Sequence, residues 1–152
     1  DLPARSFDVV PLWHTLEHVL DPVDVLRESH RLLKPSGLLV LEVPNADSLG
    51  ARVFGRVWYS WMPPIHRAHY STSTIRLLLD RAGFELQGQV QTRNTGSWVD
   101  GMSYALGGGR RFAGRTFLRR SRAWMFLLPF DWLVTKIGLG SHLLVAAAPL
   151  HD

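Results

Sequence analysis

Apolar positions along the chain fall into short blocks separated by proline, glycine and charged residues. The first block, Phe7–Trp13 (FDVVPLW), is apolar on both alternating faces, as in a strand buried in a parallel sheet. Pro11 has no N–H to give a sheet ladder, which places it near the strand's end or where no donor is needed. Asp21-Pro22 then opens a helix, because aspartate caps a first turn and proline suits the first helical position. Val23, Leu26, Leu32 and Leu33 recur near helical spacing, with Arg27, Glu28 and Arg31 on other faces. Lys34-Pro35-Ser36-Gly37 stops this helix, and residues 38–43 (LLVLEV) form a second buried strand. Strand, helix and strand make a βαβ unit with a right-handed crossover.

Pro44-Asn45 ends the second strand, and Asp47 or Ser48 can cap a short helix reaching Phe54. Residues 55–72 (GRVWYSWMPPIHRAHYST) read as an aromatic, proline-bearing loop. Ser73 or Thr74 starts a helix with Ile75, Leu78, Leu79 and Ala82 on one side, Gly83 ends it, and residues 84–92 are a third strand. The pattern then loosens. Residues 97–106 are helical, and Gly107-Gly108-Gly109 breaks the chain. An arginine-rich stretch follows over 110–122. Residues 124–137 form an apolar helix that Pro129 bends or restarts, and 142–148 (HLLVAAA) are a last strand.

Composition narrows this to one αβ domain, or part of one. The chain has 152 residues, 46% hydrophobic and 20% charged, so it can bury a real core. With no cysteine there is no disulfide, zinc–thiolate site or thiol nucleophile, which fits a reducing, cytoplasmic setting. A net charge of +4 is a weak pointer to anionic partners. The arginines accompany no nucleic-acid-binding motif, so nucleic acid is not an expected partner. The amino terminus, DLPARSFDVV, has no basic n-region or apolar h-region and is not a signal peptide. It begins in a polar turn just before a strand, which suggests a truncated chain.

Phe7-Asp8-Val9-Val10, His14-Thr15-Leu16-Glu17-His18, Asp21-Pro22 and Leu33-Lys34-Pro35-Ser36-Gly37 follow one another at a specific spacing. In this order they resemble the middle of class I S-adenosylmethionine-dependent methyltransferases, in the type 11 and type 23 groups that include ubiquinone-biosynthesis-like O-methyltransferases. Ser36 stands where those proteins usually carry the first glycine of an L-K-P-G-G turn. Pro63-Pro64-Ile65-His66, His69-Tyr70-Ser71 and Ala82-Gly83-Phe84 resemble the type 23 continuation. The resemblance covers residues 1–92 well and the closing strand loosely.

It implies a Rossmann-like α/β sheet of order 3-2-1-4-5-7-6, with strand 7 antiparallel. The strands here map onto 4, 5, 6 and 7, so this would be the C-terminal half of the domain, with strands 1 to 3 missing. Residues 97–138 would be an inserted basic and apolar helical segment. No G-x-G-x-G occurs, so the glycine-rich loop that holds most of the cofactor is absent from this sequence. The isolated chain should therefore bind S-adenosylmethionine weakly or not at all. The missing N-terminal half of the domain becomes a required partner.

The resemblance further implies cofactor contacts at Leu2, Trp13 and His14. The Trp13 indole can also stack on the sulfonium as a cation–π contact. His14, Glu17 and His18 share one face if their segment turns helically, and two imidazoles with a carboxylate can bind a divalent metal or supply a general base. Some relatives bind magnesium through E-x-x-E-H at these positions. Here His14 replaces the first glutamate, which favours a softer metal or none. In the aromatic loop, His66 and His69 are further candidate bases for a hydroxyl substrate, beside Trp58, Tyr59 and Tyr70 as substrate contacts. Glu42, Pro44 and Asn45, at the end of the second strand, can also face a substrate. Each of these residues also has a purely structural reading: a core tryptophan at a strand end for Trp13, a hydrogen-bonded turn, favoured over a metal site, for His14, Glu17 and His18, a packed loop for the aromatic segment, and a solvated turn for Glu42, Pro44 and Asn45.

The implied reaction is direct methyl transfer to a small molecule, with alignment, exclusion of water and removal of one proton as the protein's tasks. The arginine stretch and the apolar helix, together 110–137, can meet an anionic membrane surface peripherally. The rival reading is a non-catalytic pseudoenzyme or interaction module.

Overall fold

The computed structural model describes residues 2–107 and 122–150. Strands β1 (Phe7–Trp13), β2 (Leu33–Pro44), β3 (Phe84–Thr92) and β4 (His142–Pro149) form one sheet in the order β1-β2-β4-β3. β1 and β2 are parallel, and β4 runs antiparallel to both β2 and β3. That is the order and direction expected of strands 4, 5, 7 and 6. The helices are α1 (Pro22–Leu32), α2 (Leu49–Phe54), α3 (Thr72–Arg81), α4 (Thr95–Leu106) and α5 (Leu128–Lys136).

Short-range chemistry sets the helix ends. Asp21 accepts the Asp24 N–H at 3.0 Å ahead of Pro22. α3 starts earlier than the sequence suggests, because Ser71 and Thr74 cap it reciprocally, each side chain bonding the other's backbone N–H. Gly83 follows its end at φ +79°, where a side chain would be strained. Pro129 restarts rather than bends its segment: a 3₁₀ turn over Ala123–Leu127 gives way to α5, with the proline in its first turn.

β2 also begins earlier than expected, at Leu33. The Lys34–Gly37 turn residues remain in the strand because Phe7 pairs with Leu33 and the register shifts before Val9 meets Leu38. Pro11 sits within β1 opposite Val40 rather than at its end, and β1 is an edge among the described strands, where a missing N–H is tolerated.

The two faces of the sheet differ. Val10 and Leu12 from β1, Leu39, Leu41 and Val43 from β2, and Leu143, Val145 and Ala147 from β4 pack into a core with Leu26 of α1 and with Ile75 and Leu79 of α3. The alternate residues form the other face, where Val9 and Trp13 are 50% and 55% exposed. Gly108, Gly109, Arg110, Arg111, Arg115, Arg119 and Arg120 lie outside the described residues, and with them the basic part of the expected membrane segment. Among the described residues, no helix is long and apolar enough to cross a membrane.

Candidate active site

β1 and β2 run side by side and release their carboxyl ends together, where open parallel sheets bind ligands. A cavity of about 350 Å³ lies there, lined by His14, Glu17, His18, Pro44, Tyr59, Ser60, Met62, His66, Asn94, Ser97, Asp100 and His142.

The chain leaves β1 through His14 at φ +47°, a conformation that side-chain-bearing residues rarely adopt. The bend is held by the His14 N–H donating to the Glu42 carbonyl at 3.0 Å. It carries the imidazole over β2, where Nδ1 lies 3.1 Å from Glu17 Oε1 and Nε2 lies 3.7 Å from Glu42 Oε1. The Glu17 hydrogen bond outweighs partial burial and holds the His14 pKa above the usual histidine value. Burial works to raise the Glu17 carboxyl. The His14 hydrogen bond, the residue's own backbone and the nearby His14 and His18 charges outweigh it and hold that pKa below the usual range. Glu17 is 1% exposed, and its Oε2 has no hydrogen-bond partner among the described residues.

His142, at the start of β4, completes one side. Its Nδ1 is 2.9 Å from Glu42 Oε1, its Nε2 is 3.3 Å from the Asn94 amide nitrogen, and its ring meets that of His14 edge to face at 4.9 Å. Burial pushes His142 down to about 4 and pushes Glu42 up, so both shifts favour a neutral pair. On the opposite wall, His66 Nδ1 lies 2.7 Å from the Ser60 carbonyl. That carbonyl requires a proton on Nδ1, so neutral His66 carries its lone pair on Nε2. Burial lowers the His66 pKa, which keeps the ring neutral near pH 7.

The expected site residues separate accordingly. His14, His18 and His66 line the cavity together. His69 is not among its lining residues, and its Nε2 donates to the Trp61 carbonyl at 3.1 Å. The segment after β1 is a turn rather than a helix, so His14, Glu17 and His18 do not form one ligand set. Among the described residues, the groups whose ligand atoms converge are His14, Glu42 and His142, and separately Glu17, His18 and His66. Tyr59 reaches the cavity. Trp58 instead lines a neighbouring aromatic cavity of about 460 Å³, which shares Tyr59 and Met62 with the first.

Two expected substrate contacts are used internally. Asn45 is fully buried, donating to the Gly140 carbonyl and accepting from the Asp47 N–H. Tyr70 is buried with its hydroxyl donating to the Leu16 carbonyl, and burial, helped by the Glu17 charge, raises its pKa to about 12. Trp13 stands exposed at the end of β1, next to His14 in the chain but not among the residues that line the cavity. Leu2 lies before the opposite end of that strand, its carbonyl accepting from Arg31, and so is not brought to the cavity. The sequence reading did not single out His142, Asn94 or Asp100, because nothing local to them signals a site.

The methyltransferase domain family matches residues 1–89. A protein of Mycolicibacterium smegmatis named a probable S-adenosylmethionine-dependent methyltransferase is 30% identical over 86 residues, 57% of this chain and 32% of that protein. The ubiquinone biosynthesis O-methyltransferase of Ruegeria pomeroyi is 41% identical over 67 residues, 40% of this chain and 25% of the relative. A crystal structure of an S-adenosylmethionine-dependent methyltransferase from Thermotoga maritima superposes with a TM-score of 0.59 at 19% identity, covering 97% of this chain and 57% of that one. The chain thus spans about a third or less of these two curated relatives, and the structural likeness shows a shared fold.

Proposed function

Because this chain belongs to the methyltransferase domain family, we propose that it carries the acceptor side of an enzyme moving a methyl group from S-adenosylmethionine to a small molecule, with a hydroxyl as the methylated group. The observation that carries this reading is the cavity at the carboxyl ends of β1 and β2, where the unpartnered Glu17 Oε2 and the Nε2 lone pair of His66 come together. The Glu17 carboxylate, held ionised by its surroundings, suits the positive sulfonium end of the cofactor, and Trp13 and His14 at the end of β1 would hold it there. The sequence contains no G-x-G-x-G of the kind that would cradle the rest of the cofactor. When bound, S-adenosylmethionine supplies an electrophilic methyl group.

The chain's own residues do the remaining work. His66, neutral and fixed in tautomer by Ser60, accepts the hydroxyl proton at Nε2. Glu17 holds His14 in place through their 3.1 Å hydrogen bond, so the wall of the cavity is preorganised. The aromatic cavity of Trp58, Tyr59 and Trp61 encloses the apolar part of the acceptor and excludes water. We read residues 97–138 as an insertion whose exposed Phe126, Trp132 and Ile137 give peripheral contact with a membrane. That placement suits a lipid-linked acceptor.

The bare edge of β1 supports a partial domain, completed by a glycine-rich half upstream in the same gene. Calorimetric titration of S-adenosylhomocysteine tests this on two proteins, the chain itself and the chain extended upstream. Binding by the extended form alone is expected. Tight binding by the 152-residue chain would overturn the partial-domain reading. Binding by neither form would favour the interaction-module alternative.

A further inference from the structure

His14, Glu42 and His142 come from three separate elements, the turn after β1, the end of β2 and the start of β4, yet their ligand atoms all lie within 4.8 Å of one another. Glu42 Oε1 is the hub, 2.9 Å from His142 Nδ1 and 3.7 Å from His14 Nε2. A tetrahedral zinc ion with bonds of about 2.0–2.1 Å holds neighbouring ligand atoms about 3.3 Å apart, between those two distances. We propose that His14 Nε2, Glu42 Oε1 and His142 Nδ1 form a three-ligand site for a divalent transition metal of the zinc class, with its fourth position open to the cavity.

Two imidazoles and one carboxylate favour zinc, cobalt or iron over magnesium, which prefers a shell of oxygens. Three protein ligands with one open position is the arrangement of a reactive rather than a purely structural zinc site. Glu42 and His142 are largely buried, so the metal sits at the floor of the cavity, and His14, half-exposed, closes it on the solvent side. Loading moves the His142 proton from Nδ1 to Nε2, and the Asn94 amide turns its oxygen to accept it. The cost at α4 is small, because the Ser97 N–H keeps its 2.9 Å bond to the Asn94 carbonyl when the side chain lets go. The site shares His14, through its Nε2, with the turn after β1, but takes its other two ligands from β2 and β4 rather than from Glu17 and His18, and it does not depend on the proposed methyl transfer.

The test uses the chelator-treated 152-residue chain, with zinc and magnesium chloride titrated calorimetrically and cobalt followed by visible absorption. One zinc per chain is expected, no magnesium heat, and the visible bands of four- or five-coordinate cobalt. His14→Ala, Glu42→Gln and His142→Gln should each weaken zinc by more than the ~10–100-fold that loss of a supporting hydrogen-bond partner costs. Circular dichroism checks that each variant folds. His14 is exposed enough for its variant to keep the fold, and a zinc-induced shift of the His142 ring nitrogens in the wild-type chain supplies a readout without mutation. Absence of zinc binding by the folded chain would overturn the site. So would zinc affinity unchanged in all three variants, or affinity lost on His18→Ala or His66→Ala, which would place the ion in the other cluster.

Discussion

The left-handed bend at His14 makes that position sensitive to backbone chemistry in an unusual direction. Elsewhere, replacing alanine by glycine costs stability because the unfolded chain gains freedom. At φ +47° the β-carbon itself is the burden, of about 1 kcal/mol. His14→Gly is therefore expected to be more stable than His14→Ala by about 1 kcal/mol, read from urea denaturation; equal midpoints would contradict the bend. His142 gives a pH signature. Its folded pKa of about 4 lies below the 6.5 of an unperturbed histidine, so the unfolded chain binds more protons between those values. Stability should therefore fall as pH drops from 6.5 toward 4, by about 3 kcal/mol from this residue, while Glu42, shifted upward, works in the opposite direction. Wild type should lose stability more steeply than His142→Gln over that window, and parallel profiles would count against the buried neutral imidazole. For His66 the expected readout is catalytic. In an upstream-extended protein, should it bind the cofactor as proposed, His66→Asn is expected to lower kcat/KM by ~10²–10⁴-fold and flatten the fall in rate below pH 6.5.

Among the elements, helix boundaries were the most legible in the sequence, because caps are local. Asp21-Pro22 and Gly83 mark their helix ends without reference to anything distant. The candidate site was legible only in part. His14, His18 and His66 stand in motifs, but His142 joins them through sheet pairing. β4 runs antiparallel to β2, with His142 opposite Pro44 and Leu144 opposite Glu42, and no short-range pattern encodes that register. The helical face expected for His14, Glu17 and His18 failed because the strand's exit bends instead of coiling. The fit between α2 and α4 is likewise invisible locally. A β-carbon at Gly101 would run into the Phe54 ring, so Gly101→Ala should destabilise by about 1–3 kcal/mol through overpacking despite alanine's better helix propensity. Thermal denaturation measures it, and a gain in Tm would show that Phe54 moves aside. By contrast, Ser71→Ala removes one half of the α3 capping box and should cost about 1 kcal/mol.

At the scale of the molecule, the sheet formed by the described strands has unpaired edges at both β1 and β3, and its two faces are unequally covered. α1 and α3 cover the face built on Leu39, Leu41, Leu143 and Val145, while Val9 and Trp13 remain open on the other. Such a chain should associate with itself at high concentration. Val9→Lys, a charge set on the edge strand, should reduce that association in sedimentation measurements. The same edge has a signature in hydrogen–deuterium exchange. A strand paired on one side holds only alternate amides, so β1 should exchange with a period of two residues, interrupted at Pro11, which has no amide proton. β2, paired on both sides, should be protected along the run from Leu39 to Val43. Any segment that docks against β1 would slow its fast amides and leave the slow ones unchanged, so the exchange pattern of this one strand can report when the fold is complete.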